Sequence, residues 1–164
     1  MLEVTESTVL LGVVIAMRLI EVMIARRNAE RVIDEGAEDH SGDFYLLWTA
    51  LQGGGLFLIA ATMTPERSPP LLALLFFTPI LLVRVGLLIR YRHAWVLRLI
   101  TTKEGDLIEF KPKRYRYLGL GLSAVESATL ALALGLPFIA LCLGGLNVAL
   151  IAYRIRLERS FKRS

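Results

Sequence analysis

A single cysteine, Cys142, excludes a disulfide framework and a thiolate metal site. Lying inside an apolar block, it is expected to pack as a small buried hydrophobe. Histidine is almost as scarce, with only His40 and His93. His40 stands in EDHSGD, where carboxylates and one histidine at irregular spacing read as a solvated acidic turn, and no metal is expected. Ser-His-Asp and Cys-His arrangements are missing, as is any phosphate-cradling glycine loop. Internal repeats and low-complexity segments are also missing. What the chain has in excess is apolar side chains: 55% of 164 residues are hydrophobic, and mean hydropathy is +0.57. A soluble domain of this size is not normally so apolar.

The apolar residues fall in long blocks, as in membrane-spanning helices. Five are expected, at about 7–25, 44–63, 69–90, 118–134 and 138–153, joined into a single transmembrane domain. The fold class is therefore an all-α integral membrane protein. The first block lacks a preceding basic region and a following small-residue cleavage site, so it reads as a retained span. Pro69 and Pro70 suit a helix start, and Pro79 is expected to kink the third span. Gly-Leu-Pro at 135–137 predicts a tight C-terminal helical hairpin. Between the third and fourth spans, residues 91–117 form an interfacial segment. Its first half suits an amphipathic interfacial helix, and KEGD at 103–106 a turn between short strands.

Lysine and arginine cluster after the first, third and fifth spans, and alternate loops are poor in them. The positive-inside rule then puts the N-terminus outside and the C-terminus and the 91–117 loop in the cytoplasm. The stretch KPKRYRYLGLGL, Lys111–Leu122, thus lies on the cytoplasmic side. Its cations suit anionic headgroups, and Tyr115 and Tyr117 suit the interface. Membrane lipids are expected partners, and nucleic acid is not, since no nucleic-acid-binding signature is present.

Four charges fall inside apolar blocks: Arg18, Glu21, Arg84 and Glu126. Such groups face the protein interior and pair, because a lone charge at the bilayer centre costs at least ~2.5 kcal/mol. Arg18 and Glu21 are three apart and can pair locally. Arg84, under two turns from the cytoplasmic end, is placed to snorkel. Glu126 has no local partner, and Arg18 or Arg84 would supply one. These groups read either as clasps between helices or as a polar site at the cytoplasmic mouth of the bundle. Asn147 suits interhelical hydrogen bonding. The run Gly53-Gly54-Gly55 permits close helix packing, or makes room for a lipophilic ligand.

Four segments in order carry a resemblance. They are RLIEVMIARRNAERVIDEGAED at Arg18–Asp39, FYLLWTALQ at Phe44–Gln52, RHAWVLRLI at Arg92–Ile100, and NVALIAYRIRLERSF at Asn147–Phe161. Together they resemble the isoprenylcysteine carboxyl methyltransferase family, especially its short bacterial members. The resemblance covers nearly the whole chain. It implies an enzyme that uses S-adenosylmethionine to methylate a carboxylate or hydroxyl of a lipophilic, prenylated or polyketide-like substrate. The substrate tail would enter between helices from the bilayer, and the cofactor from the cytosol. By the same resemblance Arg154 and Glu158 are the catalytic pair. Tyr115, Tyr117, Gly119, Trp95 and His93 would form the cofactor site, and Arg18, Glu21 and Asn28 the substrate site. Glu126 joins the substrate site as a charge inside an apolar block rather than by resemblance.

The chain departs from the family where the cofactor motif is expected. In KRYRYLG, Arg114 and Tyr115 stand where the family has His-Pro, while Tyr117 and Gly119 fit. Phe44 and Gln52 replace usual histidines, and Arg159 replaces a second glutamate. These departures give an alternative, an inactive relative that binds a lipid or a membrane partner.

Overall fold

The computed structural model describes residues 5–64, 71–95, 98, 100–101 and 113–161. Five long helices make up the fold: α1 (Glu6–Asp34), α2 (Gly42–Thr62), α3 (Leu71–Arg90), α4 (Lys113–Ala133) and α5 (Pro137–Phe161). A 3-10 turn at Arg92–Ala94 and two short strands, β1 (Glu38–Asp39) and β2 (Ile100–Thr101), complete the described elements. The strands pair antiparallel, Glu38 opposite Thr101 and Asp39 opposite Ile100.

Helix ends follow from local chemistry. Thr5 caps α1 by accepting from the Thr8 amide. Gly36 ends it at φ 98°, with amide bonds Gly36 to Ile33 and Ala37 to Val32. Gly135 ends α4 at φ 76° in the same way, bonding to Leu132 while Leu136 bonds to Ala131. Both ends are Schellman motifs, which need a residue in the left-handed region and so favour glycine. Pro137 then opens α5, where the missing N–H costs nothing. The predicted α4–α5 hairpin is therefore present.

Helix α4 packs against α3 and against α5, and α2 against α5 and α4. The elements alternate in direction, which the core makes plain. Leu11 and Val14 from the first half of α1 meet Ile59 from the end of α2 and Phe77 from the start of α3. Leu130 and Leu134 from the end of α4 and Leu143 from the start of α5 join them. One end of the bundle thus holds an apolar core, with Ser7 buried near it. The other end holds Phe44, Trp48 and Leu120, and beside them Ala25, Leu88 and Trp95.

Polarity is inverted relative to a water-soluble bundle. Arg84, Glu126, Asn147, Arg154 and Glu158 are buried, while Phe57, Leu71, Phe76, Phe138 and Leu141 are at least 66% exposed. Outward apolar surface on every helix is what lipid requires. Three helices, α1, α2 and α5, are long and apolar enough to cross a membrane among the described residues. The protein is an α-helical membrane protein.

Several expectations change. Helix α1 runs nine residues beyond the expected span, and α4 begins at Lys113 rather than 118. Residues 113–117, expected in the loop, are helical because no breaker follows Pro112. The expected interfacial helix is replaced by a turn and 3-10 segment at 91–94, and Trp95 is extended. The backbone there is held by Asn28, whose amide donates to the carbonyls of Arg92 and Trp95. Pro79 stands inside α3, as expected for the third span. Cys142 is exposed on the outer face of α5 rather than buried, so lipid takes the place of a protein core. Pro69, Pro70 and the KEGD turn lie outside the described residues.

Candidate functional site

The four charges of the apolar blocks form a closed ring. Arg18 pairs with Glu21 at 3.1 Å and with Glu126 at 3.4 Å. Arg84 bonds to Glu21 and to Glu126. Each cation thus meets both anions, and the ring is neutral. Arg84 does not snorkel; its side chain is 4% exposed. Both glutamates reach it across the bundle, so leaving would strip each of a partner.

Neutral groups extend the ring to every helix. Arg18 donates to Ser123 Oγ at 2.6 Å, and more weakly to Ser127 Oγ at 3.4 Å. Ser123, Glu126 and Ser127 share one face of α4 at offsets of three and four. Both serines reach Gln52 Oε1 at 3.2 Å, and Gln52 donates to Asn147 Oδ1 at 2.7 Å. Asn147 is thus the interhelical hydrogen-bonding residue expected of it. Trp95 Nε1 donates to Glu21 Oε1 at 3.1 Å.

A cavity of about 450 Å³ opens between α1 and α2 beside this ring. Leu19, Leu56 and Phe57 give it apolar walls, and Arg18, Glu21 and Gln52 add polar groups. The three glycines divide two roles here. Gly53 lines the cavity and has open space before it. Gly55 is buried, and a Cβ there would lie 2.8 Å from Leu143 Cδ2. Close packing and room for a ligand are therefore both present, two residues apart.

A second polar cluster lies at the Lys/Arg-rich end. Arg154 Nε donates to Glu158 Oε1 at 2.8 Å, four residues on along α5. Tyr117 Oη donates to Glu158 Oε2. Arg154 Nη2 donates to the Arg98 carbonyl at 3.2 Å, and its guanidinium stacks 4.9 Å over Phe44. Arg98 in turn pairs with Asp39 at 2.8 Å and lies 4.7 Å over Tyr45. Arg154 is 1% exposed and Glu158 4%. Tyr117, Ile155, Glu158 and Arg159 line a pocket of about 350 Å³.

The expected site residues thus fall in three places. Arg18, Glu21 and Glu126 meet in the ring. Arg154, Glu158 and Tyr117 meet at the end of α5. Trp95 lies on Gly119, where a Cβ would be 2.8 Å from the indole, and its N–H is given to Glu21. His93 and Asn28 line a different cavity, with Arg27, Arg31 and Arg92. Tyr115 falls in the first turn of α4, and its side chain lies outside the described residues. Tyr117 lines the pocket at the end of α5 and His93 the cavity beside α1.

Gln52, Ser123, Ser127, Arg98 and Asp39 were not singled out as site residues from the sequence. The serines carry a signal, since they flank Glu126 on one helix face. Arg98 and Asp39 carry none, because they meet only through the β1–β2 pairing. EDHSGD is more than a solvated turn, since Asp39 also accepts from the Ser41 amide at 2.8 Å.

No family model, curated protein or solved structure matches the chain.

Proposed function

We propose that the protein is an integral-membrane methyltransferase that transfers a methyl group from S-adenosylmethionine to an oxygen of a lipophilic acceptor. The acceptor's tail lies in the α1–α2 cavity. The bundle has five spans, with the N-terminus outside and the C-terminus in the cytoplasm. In support of the span count, α3 has 20 residues and a length of about 30 Å, the hydrocarbon thickness. Helix α4 packs between α3 and α5.

The observation that carries the reading is the cavity itself. It is apolar enough for a hydrocarbon chain, and Arg18, Glu21 and Gln52 offer hydrogen bonds to a polar group along that chain. Among the described residues, Arg18 Nε is buried without a hydrogen-bond partner, and an oxygen along the acceptor would satisfy that donor. One face of α2 leads from the cavity to the second cluster: Gln52, then Trp48, then Phe44 beneath Arg154. The distance is about 12 Å along the helix, within reach of an extended acceptor.

At the far end the guanidinium of Arg154 suits an acceptor carboxylate, which it would hold in place while Glu158 fixes the fork. S-adenosylmethionine, when bound, would supply an electrophilic methyl and a neutral thioether leaving group. Its amino-acid end carries an ammonium and a carboxylate. The pocket of Tyr117, Glu158 and Arg159 offers an anion, a cation and a phenol, which fit those charges. Holding the acceptor oxygen in line is then the chain's main task.

One observation favours the alternative, a lipid-binding relative without activity. Trp95 fills the space over Gly119, next to the departed His-Pro motif. Calorimetry of S-adenosylmethionine with the purified protein in detergent, with S-adenosylhomocysteine alongside, separates the two. Micromolar binding supports the enzyme. Absence of binding at millimolar ligand in a folded sample leaves lipid binding only. Gly53→Leu should close the cavity and remove binding of a lipophilic acid in either case. Unchanged acid binding by that variant would sink the cavity assignment.

A further inference from the structure

A cavity of about 660 Å³ lies beside the C-terminal half of α1, lined by Ile24, Arg27, Asn28, Arg31, Arg92 and His93. We propose that it is a binding site for a phosphate ester, held by the guanidinium groups of Arg27, Arg31 and Arg92. The proposal does not depend on methyl transfer.

The site is built by the fold rather than gathered by chance on a surface. Ile24, Arg27, Asn28 and Arg31 stand at offsets of three, four and seven, on one face of α1. The opposite wall is the 3-10 turn, and the buried Asn28 fixes it there. Its amide donates to the Arg92 carbonyl at 2.5 Å and to the Trp95 carbonyl at 3.0 Å. Both amide hydrogens are thus spent on positioning Arg92 and His93 against the helix. Arg92 Nε donates to His93 Nε2 at 3.1 Å, which leaves its two terminal nitrogens facing no described acceptor.

Charge defines the ligand. Among the described residues, no carboxylate lies within salt-bridge distance of Arg27, Arg31 or Arg92. Their neighbour Arg26 differs, since it pairs with Glu30 at 2.6 Å. Three like charges around one space repel one another, and an anion relieves all three repulsions together. Several planar forks converging on one space suit a tetrahedral group with several oxygens better than a planar carboxylate. The volume exceeds what a bare anion fills, so the phosphate carries an organic body. Ile24 gives that body an apolar contact on the side toward the apolar stretch of α1, which ends at Ala25. A phospholipid headgroup and a soluble phosphate ester share this chemistry.

The test uses the full-length protein in neutral detergent. Binding of phosphatidylglycerol and of phosphatidylcholine is read by native mass spectrometry, and glycerol phosphate and citrate serve as soluble competitors. Arg27→Gln, Arg31→Gln and Arg26→Gln are compared. All three positions are exposed, so the variants should fold. Expected is preferential binding of phosphatidylglycerol, weakened about tenfold or more by Arg27→Gln or Arg31→Gln and unchanged by Arg26→Gln. Competition by glycerol phosphate but not citrate would assign a soluble ester. Its failure to compete would assign the lipid headgroup. Equal loss with Arg26→Gln would reduce the effect to diffuse surface charge and overturn the proposal. So would citrate competing as well as glycerol phosphate, or no binding of either phosphate compound.

Discussion

The two buried ionic clusters are built in opposite ways. The mid-bundle ring joins Arg18 and Glu21 of α1, Arg84 of α3 and Glu126 of α4, and every charge has two opposite partners. The cluster at the end of α5 pairs one cation with one anion on the same helix, Arg154 with Glu158. A phenol, a carbonyl and a phenyl ring also touch this pair. A ring closed across three helices resists rearrangement, because moving any member strands two others. A pair within one helix can trade a partner for a substrate without moving a second helix. The first arrangement suits a clasp whose outer members, Arg18 and Glu21, also line a cavity. The second suits an acceptor site.

This contrast can be broken by substitution. The largest effect is expected from Glu126→Leu, which leaves Arg84 buried and short of a partner. It should cost roughly 3–5 kcal/mol, read by thermal unfolding in detergent. Adding Arg84→Met should recover part of that loss, because the double variant strands no charge at that position. A loss under about 1 kcal/mol for Glu126→Leu would mean that Arg84 escapes to the interface after all.

Glu158→Gln should cost less, roughly 1–3 kcal/mol, since Arg154 keeps a neutral acceptor in the amide oxygen and the half-exposed Tyr117 can turn to solvent. The same variant, like Arg154→Ala, should abolish any methyl transfer. Full activity in both would remove these residues from the acceptor site. Tyr117→Phe should cost about 1 kcal/mol, the worth of one hydrogen bond. Smallest is Gly53→Leu, which faces open space and should change stability by no more than about 0.5 kcal/mol. A larger loss there would mean that the α1–α2 opening closes in the membrane.

Legibility from the sequence depended on range. Schellman ends at Gly36 and Gly135 and the Pro137 start are decided within six residues, and the α4–α5 hairpin was readable from them. Arg18 with Glu21 was readable because helical spacing alone brings them together. Glu126 was readable as a residue in need of a partner. That both arginines serve it depends on how α1, α3 and α4 pack. The start of α4 was misplaced because KRYRY is polar enough to resemble a loop, though helix propensity does not forbid it. The interfacial helix failed because Asn28, more than sixty residues away, holds the Arg92–Trp95 backbone in another shape.

The departures at Phe44 and Gln52 gain meaning only in three dimensions. Phe44 lies under Arg154, and Gln52 joins the serines of α4 to Asn147 of α5. In the sequence they are two residues eight positions apart. In the fold they stand at the two polar clusters, on one face of α2.

By itself the sequence determined that this is a helical membrane protein, where the α4–α5 hairpin turns, and which charges must find partners. Those follow from transfer free energies and local backbone preferences, which act over a few residues. Only the tertiary structure decided that the charges close into a neutral ring, that Gly53 and Gly55 serve different ends, and that arginines of α1 face Arg92 across a cavity. Such pairings depend on how helices far apart in sequence are seated against one another, and hydrophobic patterning constrains which faces meet but not which polar groups lie opposite.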